Sequence, residues 1–160
     1  MLLGLISDTH GFLNARVFDI FANVDHILHA GDVGDDRILD ELAAIAPLNA
    51  VSGNVDGSPT TRRPLRFSET LGGLRICMTH GHLLDSADYN ASAAQLFAAE
   101  KPSIILHGHS HIAKNERFGD IAIINPGAAC RARFRDISSV AILEIEPAGA
   151  FHCRFYNLTR

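Results

Sequence analysis

Asp8-Thr9-His10 places a carboxylate and an imidazole one residue apart, directly after an apolar run. Comparable polar clusters follow at Gly31-Asp32, Gly53-Asn54-Val55-Asp56, His80-Gly81-His82, Gly108-His109-Ser110-His111 and Asn125-Pro126-Gly127. Together they offer carboxylate oxygens, an amide oxygen and imidazole nitrogens, with no thiolate. That set holds too much imidazole for Mg²⁺ or Ca²⁺ and suits a pair of divalent transition-metal ions: Mn²⁺ first, with Fe, Ni, Co or Zn also fitting. In an extended segment Asp8 and His10 project to the same side and can hold one metal. Asp32 has two carboxylate oxygens and can bridge two cations. Asn54 can offer its amide oxygen, and His80, His109 and His111 are neutral-imidazole ligands. Singly, each cluster has a plainer explanation as a helix cap or a turn. Their recurrence in order, each after a β-prone run, is what points to a site. His29, His82 and His107 lie beside these groups and are expected to orient ligands or to pack.

The elements that must position these residues are legible as periodic runs. Strands are expected over Leu2–Ser7, His26–Ala30 and Leu48–Ser52, alternating with helices over Leu13–Asn23 and Asp36–Ala44, so the first half implies a parallel sheet. Hairpins are expected from Leu65–Thr70 with Leu74–Thr79 through Gly72-Gly73, and from Lys114–Phe118 with Ile121–Ile124 through Gly119-Asp120. Ser86–Ala99 reads as an Ala-rich helix, and Ile104–His107 as a strand that is apolar throughout and therefore covered on both faces. Val140–Glu146 alternates apolar and acidic residues, so it is expected to be half buried and to pair with Phe151–Tyr156. The economical architecture is a four-layer α-β-β-α sandwich of two mixed sheets with helices on the outer faces. In open α/β sheets ligands bind where parallel strands end, so the polar clusters should meet at one edge.

The chain has 160 residues, which favours a single domain spanning 1–160, and 47% hydrophobic residues, enough to cover a sheet on both faces. No apolar run approaches the ~20 residues of a membrane span, and Met1–Asp8 lacks the basic start of a signal peptide. Cys77, Cys130 and Cys153 form no metal-knuckle or disulfide pattern, so a reducing cytoplasm is expected. A net charge of −4 argues against a long nucleic-acid partner. Homo-oligomerisation is left open. Arg131, Arg133 and Arg135 share one face if their segment is extended, an ordinary solvated face balanced by Asp136. Arg131, nearest the Asn125-Pro126-Gly127 loop, is also suited to bidentate contact with a substrate phosphate.

The ordered series Asp8-x-His10, Gly31-Asp32, Gly53-Asn54, His80-Gly81 and Gly108-His109-Ser110-His111 resembles the motifs of the calcineurin-like metallophosphoesterases. The short chain and the late Ile124-Asn125-Pro126-Gly127 resemble their small bacterial and archaeal phosphodiesterase branch. The resemblance implies a four-layer sandwich and a dinuclear site, with Asp8, His10 and His111 on one metal, Asn54, His80 and His109 on the other, and Asp32 between them. It implies hydrolysis of a small phosphodiester by in-line attack of a bridging hydroxide. The alternatives are an inactive protein-interaction scaffold of the same fold, or a nuclease on short oligonucleotides. Many relatives carry His directly after the Gly-Asn pair, where it assists the leaving group; here that position is Val55. His82 or Asp56 is the expected substitute.

Overall fold

The computed structural model describes residues 1–57, 63–130 and 137–159. In chain order the elements are β1 (Leu2–Ile6), α1 (Arg16–Phe21), β2 (His26–His29), α2 (Arg37–Ala43), β3 (Leu48–Ala50), β4 (Arg66–Leu71), β5 (Leu74–Thr79), α3 (Tyr89–Leu96), a 3₁₀ turn (Ala98–Glu100), β6 (Ile104–Leu106), β7 (Lys114–Phe118), β8 (Ile121–Asn125), β9 (Ser139–Ile145) and β10 (Phe151–Asn157). They form two five-stranded sheets, ordered β10-β9-β1-β2-β3 and β4-β5-β6-β8-β7. Each is mixed: β1, β2 and β3 run parallel, as do β5, β6 and β8, while the remaining strands pair antiparallel.

The period-two alternation of side chains sorts the strand residues into layers. Leu3, Leu5 and Leu28 of the first sheet meet Met78, Leu106 and Ile124 of the second in the core between the sheets. Their neighbours point the other way: Ile6 and Ile27 pack under Val17, Phe21, Ile38 and Leu42 of α1 and α2. Cys77, Ile105 and Ile123 pack under Ala93 and Phe97. This is the expected α-β-β-α sandwich, and double coverage explains why β1 and β6 are apolar at consecutive positions. No helix among the described residues is long and apolar enough to cross a membrane.

Three expectations are corrected. The helix expected over Leu13–Asn23 begins only at Arg16, because the Asn14 side chain accepts the Arg16 N–H (3.0 Å) and holds a local turn instead. The helix expected over Ser86–Ala99 is confined to Tyr89–Leu96; Asp88 caps it by accepting the Ala91 N–H (3.0 Å), and it gives way to the 3₁₀ turn. The expected hairpins are present as β4-β5, β7-β8 and β9-β10, and the parallel trio β5, β6 and β8 forms the centre of the second sheet. Finally, β9 is not half buried. It lies inside the first sheet between β1 and β10, with Val140 and Ile142 under the outer layer, Ala141, Leu143 and Ile145 in the inter-sheet core, and only Glu144 exposed.

Candidate metal centre

The six polar clusters meet at one edge because the parallel strands preceding them end there. Backbone hydrogen bonds join the loops: Asp8 N–H to Gly31 O (3.0 Å), His10 N–H to Asp32 O (3.0 Å), and Gly108 N–H to His80 O (2.9 Å). The backbone is not extended through these residues, contrary to the simple spacing argument for Asp8 and His10. Asp8 (φ 54°), His10 (φ 47°), Asp32 (φ 54°), His109 (φ 66°) and His111 (φ 59°) are all left-handed; among the described residues only Lys101 joins them outside glycine. Such conformations cost side-chain-bearing residues energy and persist where surrounding structure enforces them, typically at functional sites. Two glycines make the convergence sterically feasible. A Cβ on Gly53 would collide with Asp32 Oδ1, and one on Gly108 would collide with Ser7 Oγ and lie 2.6 Å from Asp8 Oδ2.

The lone-pair atoms converge closely. Asp8 Oδ1 lies 3.2 Å from His111 Nε2, 3.8 Å from His80 Nε2 and 3.9 Å from His10 Nε2. Asp32 Oδ2 lies 3.3 Å from His80 Nε2 and 3.8 Å from His10 Nε2, and the Asn54 Oδ1–His80 Nε2 distance is 3.2 Å. Two groups could each hold an ion, with ligand atoms all within 4.8 Å of one another: Asp8, His10 and His111, and Asp8, Asp32 and His80. His109 stands beside the second, its ring 5.1 Å from that of His80.

Electrostatics agree with a cation site. Asp8 is fully buried, yet its Oδ1 accepts no hydrogen bond. A buried anionic oxygen without a donor is costly unless a cation meets it, so the residues fit a divalent metal. His80 donates Nδ1–H to Ala30 O (2.8 Å), which turns Nε2 toward the carboxylates; a proton there bonds Asp32 in the metal-free protein, and its loss gives the tautomer a metal ligand needs. Burial acts to lower the His80 pKa, but its hydrogen bond to Asp32 and the charges of Asp8 and Asp32 outweigh burial and raise it. Burial acts to raise Asp32, yet the His80 hydrogen bond, the Val55 N–H and the neighbouring histidines bring it down to about 2. His109 is lowered by burial and by His80.

The remaining expected residues divide. His82 faces this cluster, its ring 5.5 Å from His80 and 6.4 Å from His109, with a buried Nδ1 that has no hydrogen bond. Burial, then His80 and His109, lower its pKa. Asp56 has another job. Its carboxylate accepts the N–H groups of Gly53 (2.8 Å) and Gly34 (3.0 Å) and lies 3.7 Å from Arg63, so it ties the Asp32 and Asn54 loops together. Burial acts to raise its pKa, but those N–H donors and Arg63 overcome it and hold the group ionised, which disfavours proton donation. Val55 contributes through its backbone, donating N–H to Asp32 Oδ1 (3.0 Å). Arg131, with Arg133 and Arg135, lies outside the described residues.

Three bracing residues carried weaker signals in the sequence. Buried His29 accepts the Gly31 N–H at Nδ1 (3.2 Å), so its Nε2–H donates to Thr9 Oγ1 (3.0 Å), and Thr9 in turn donates to Val33 O (3.0 Å). This chain locks the Asp8-Thr9-His10 loop to the Gly31-Asp32 loop. Asn125, also buried, donates its amide N–H groups to Gly108 O (2.8 Å) and Ser110 Oγ (3.0 Å) and accepts the Gly127 N–H (2.9 Å). It braces the loop that carries His109 and His111. Thr9 could have been found only from its place between two ligands.

Residues 1–148 match the family model described as the calcineurin-like phosphoesterase superfamily domain. The chain is 31% identical to a probable metallophosphoesterase of Methanothermobacter thermautotrophicus over 100% of both chains. It is 26% identical to a phosphodiesterase of Methanocaldococcus jannaschii, covering 91% of this chain and 94% of that one. The crystal structure of a predicted phosphoesterase from Streptococcus pneumoniae superposes with a TM-score of 0.81 at 28% identity, over 99% of this chain and 90% of the other. The chain therefore belongs to the calcineurin-like phosphoesterase superfamily. That family comprises metal-dependent hydrolases of phosphoric esters, and this protein is an enzyme of that class.

Proposed function

We propose that the protein is a phosphodiesterase acting on a small phosphodiester with two divalent transition-metal ions, Mn²⁺ being the first candidate. The observation that carries this reading is the position of Asp32 Oδ2, 3.3 Å from His80 Nε2 and 3.8 Å from His10 Nε2, beside Asp8 Oδ1, which accepts no hydrogen bond. Asp8, His10 and His111 would hold one ion, Asn54, His80 and His109 the other, and Asp32 would serve both. When bound, such a pair supplies an acidified water for in-line attack at phosphorus and offsets charge on the phosphoryl oxygens. The chain's own part is to hold these ligands in place: Ala30 O fixes the His80 tautomer, the Val55 N–H orients Asp32, and Asp56 pins the Asn54 turn. Arg131 is retained, on sequence grounds, as a contact for the substrate phosphate.

Leaving-group assistance is weak in this reading. Val55 has no proton to give, Asp56 is held ionised, and His82, with its pKa lowered, is mostly neutral near pH 7. The rate should then fall steeply as the leaving alcohol becomes less acidic. The experiment is metal analysis of the purified protein combined with turnover of phosphomonoesters and of diesters differing only in leaving group. The expected outcome is two bound ions per chain, diesters preferred, and a steep leaving-group dependence. Absence of turnover with every ester in metal-replete protein would overturn the enzymatic reading. Equal rates across leaving groups would reveal a proton donor, with His82 the first residue to test.

A further inference from the structure

Beside the metal centre lies a cavity of about 470 Å³ that the catalytic ligands do not fill. Its walls come from the segment after β6 (His111, Ile112), the entry to β9 (Ile137 before it, Ser139 at its start) and the end of β10 (Phe155, Asn157). Its position at the catalytic edge follows from strand pairing. β9 runs antiparallel to β1, so its first residues lie beyond the C-terminal end of β1, where Asp8 begins. Ala129 N–H binds Ser7 O and Ser139 N–H binds Ala128 O, which ties that end of β9 to the metal loop. His111 is common to both, because the side chain that forms part of the cavity wall also sets its Nε2 3.2 Å from Asp8 Oδ1.

The lining indicates what chemistry would be held. Ile112 and Ile137 are 56% and 63% exposed, large β-branched side chains left in water at the rim of a polar site. An exposed apolar pair beside a cavity marks a surface that gains from being covered. Two polar wall atoms are already engaged: Ser139 Oγ–H donates to Pro126 O (2.7 Å), and Asn157 Oδ1 accepts the Thr159 N–H (2.8 Å) and its hydroxyl (2.5 Å). Among the described residues the lining carries no Lys or Arg. The lining, with Ile112, Ala113, Ile137 and Phe155 and no described cation, therefore favours an uncharged apolar group over a second phosphate or a carboxylate.

We infer that this cavity receives an aromatic ring, aryl or nucleobase in size, carried by one ester arm of the substrate while its phosphorus sits at the metal centre. The inference deepens the phosphodiesterase reading and rests on it. Phenylphosphonate and methylphosphonate test it, since they share the phosphoryl head and cannot be hydrolysed. Their binding to manganese-loaded protein is measured by calorimetry, alongside metal content and melting temperature. Phenylphosphonate should bind about tenfold or more tightly than methylphosphonate. In the double variant Ile112→Ser, Ile137→Ser that preference should collapse toward unity, with methylphosphonate affinity and metal content unchanged. Ile112→Ser alone should reduce it partially and serves if the double variant is unstable. Equal affinities in the wild type, or a preference that survives in the variants, would overturn the cavity assignment and leave the metal centre standing. Failure of both phosphonates to bind metal-loaded protein would overturn the phosphodiesterase reading and this inference with it.

Discussion

Asp32 is the residue on which the site turns. Its Oδ1 accepts the Val55 N–H, and its Oδ2 faces His80 and His10. Asn in its place can keep the Val55 hydrogen bond through its amide oxygen, and its NH₂ then points at His80 Nε2, a pairing that suits the metal-free protein. The same NH₂ confronts a cation with donors in place of a lone pair. Asp32→Asn should therefore fold normally and lose turnover by on the order of a hundredfold or more, with fewer bound ions per chain. Elemental analysis and diester turnover, compared with circular dichroism, check this; near-normal turnover with full metal content would contradict the assigned role. Asp56 shows why residue type alone misleads. From sequence it was as good a proton donor as His82, but its surroundings of N–H donors hold it as an anion.

At the scale of elements, the short loops after the parallel strands matter more than the strands themselves. The loop after β6 turns through two left-handed histidines, and Asn125 at the end of the neighbouring β8 holds it through Gly108 O and Ser110 Oγ. Asn125→Asp keeps the size and shape, but it sets an oxygen against the Gly108 carbonyl where an N–H donated. The loop should loosen without loss of either sheet. Metal affinity is expected to drop about 10- to 100-fold, the range typical when support behind a ligand is removed. A calorimetric Mn²⁺ titration matching wild type would show that the brace is structural only. The cavity beside His111 depends on the same loop, so aromatic-phosphonate binding should weaken in this variant as well.

At the scale of the whole molecule, buried His29 links function to stability. Desolvation brings its pKa down to about 4 from 6.5, so between those values the unfolded chain takes up a proton that the folded chain refuses. Stability therefore rises with pH from about 4 to 6.5 and is complete above 6.5, a contribution of about 3 kcal/mol for that shift. His80 is shifted the other way, so the comparison must isolate His29. Subtracting melts of metal-free His29→Gln from those of wild type across pH 4.5–7 should leave a curve rising with pH; a flat difference would show that His29 titrates normally. Much of this organisation was legible in the sequence. Apolar periodicity placed every strand to within about two residues, because burial on both faces leaves an unmistakable run. The polar clusters at strand ends named the candidate ligands, since few other roles suit carboxylates and imidazoles repeated there. What the sequence could not show was long-range. That β9 enters the first sheet beside β1, that Asp8 and His10 turn left-handed, and that Asn125 reaches Gly108 all depend on contacts between distant segments. Local propensity fixes where a strand begins and ends. Only packing decides which strand lies beside it, which atoms its loops present, and which carboxylate oxygen accepts no hydrogen bond and is free to meet a cation.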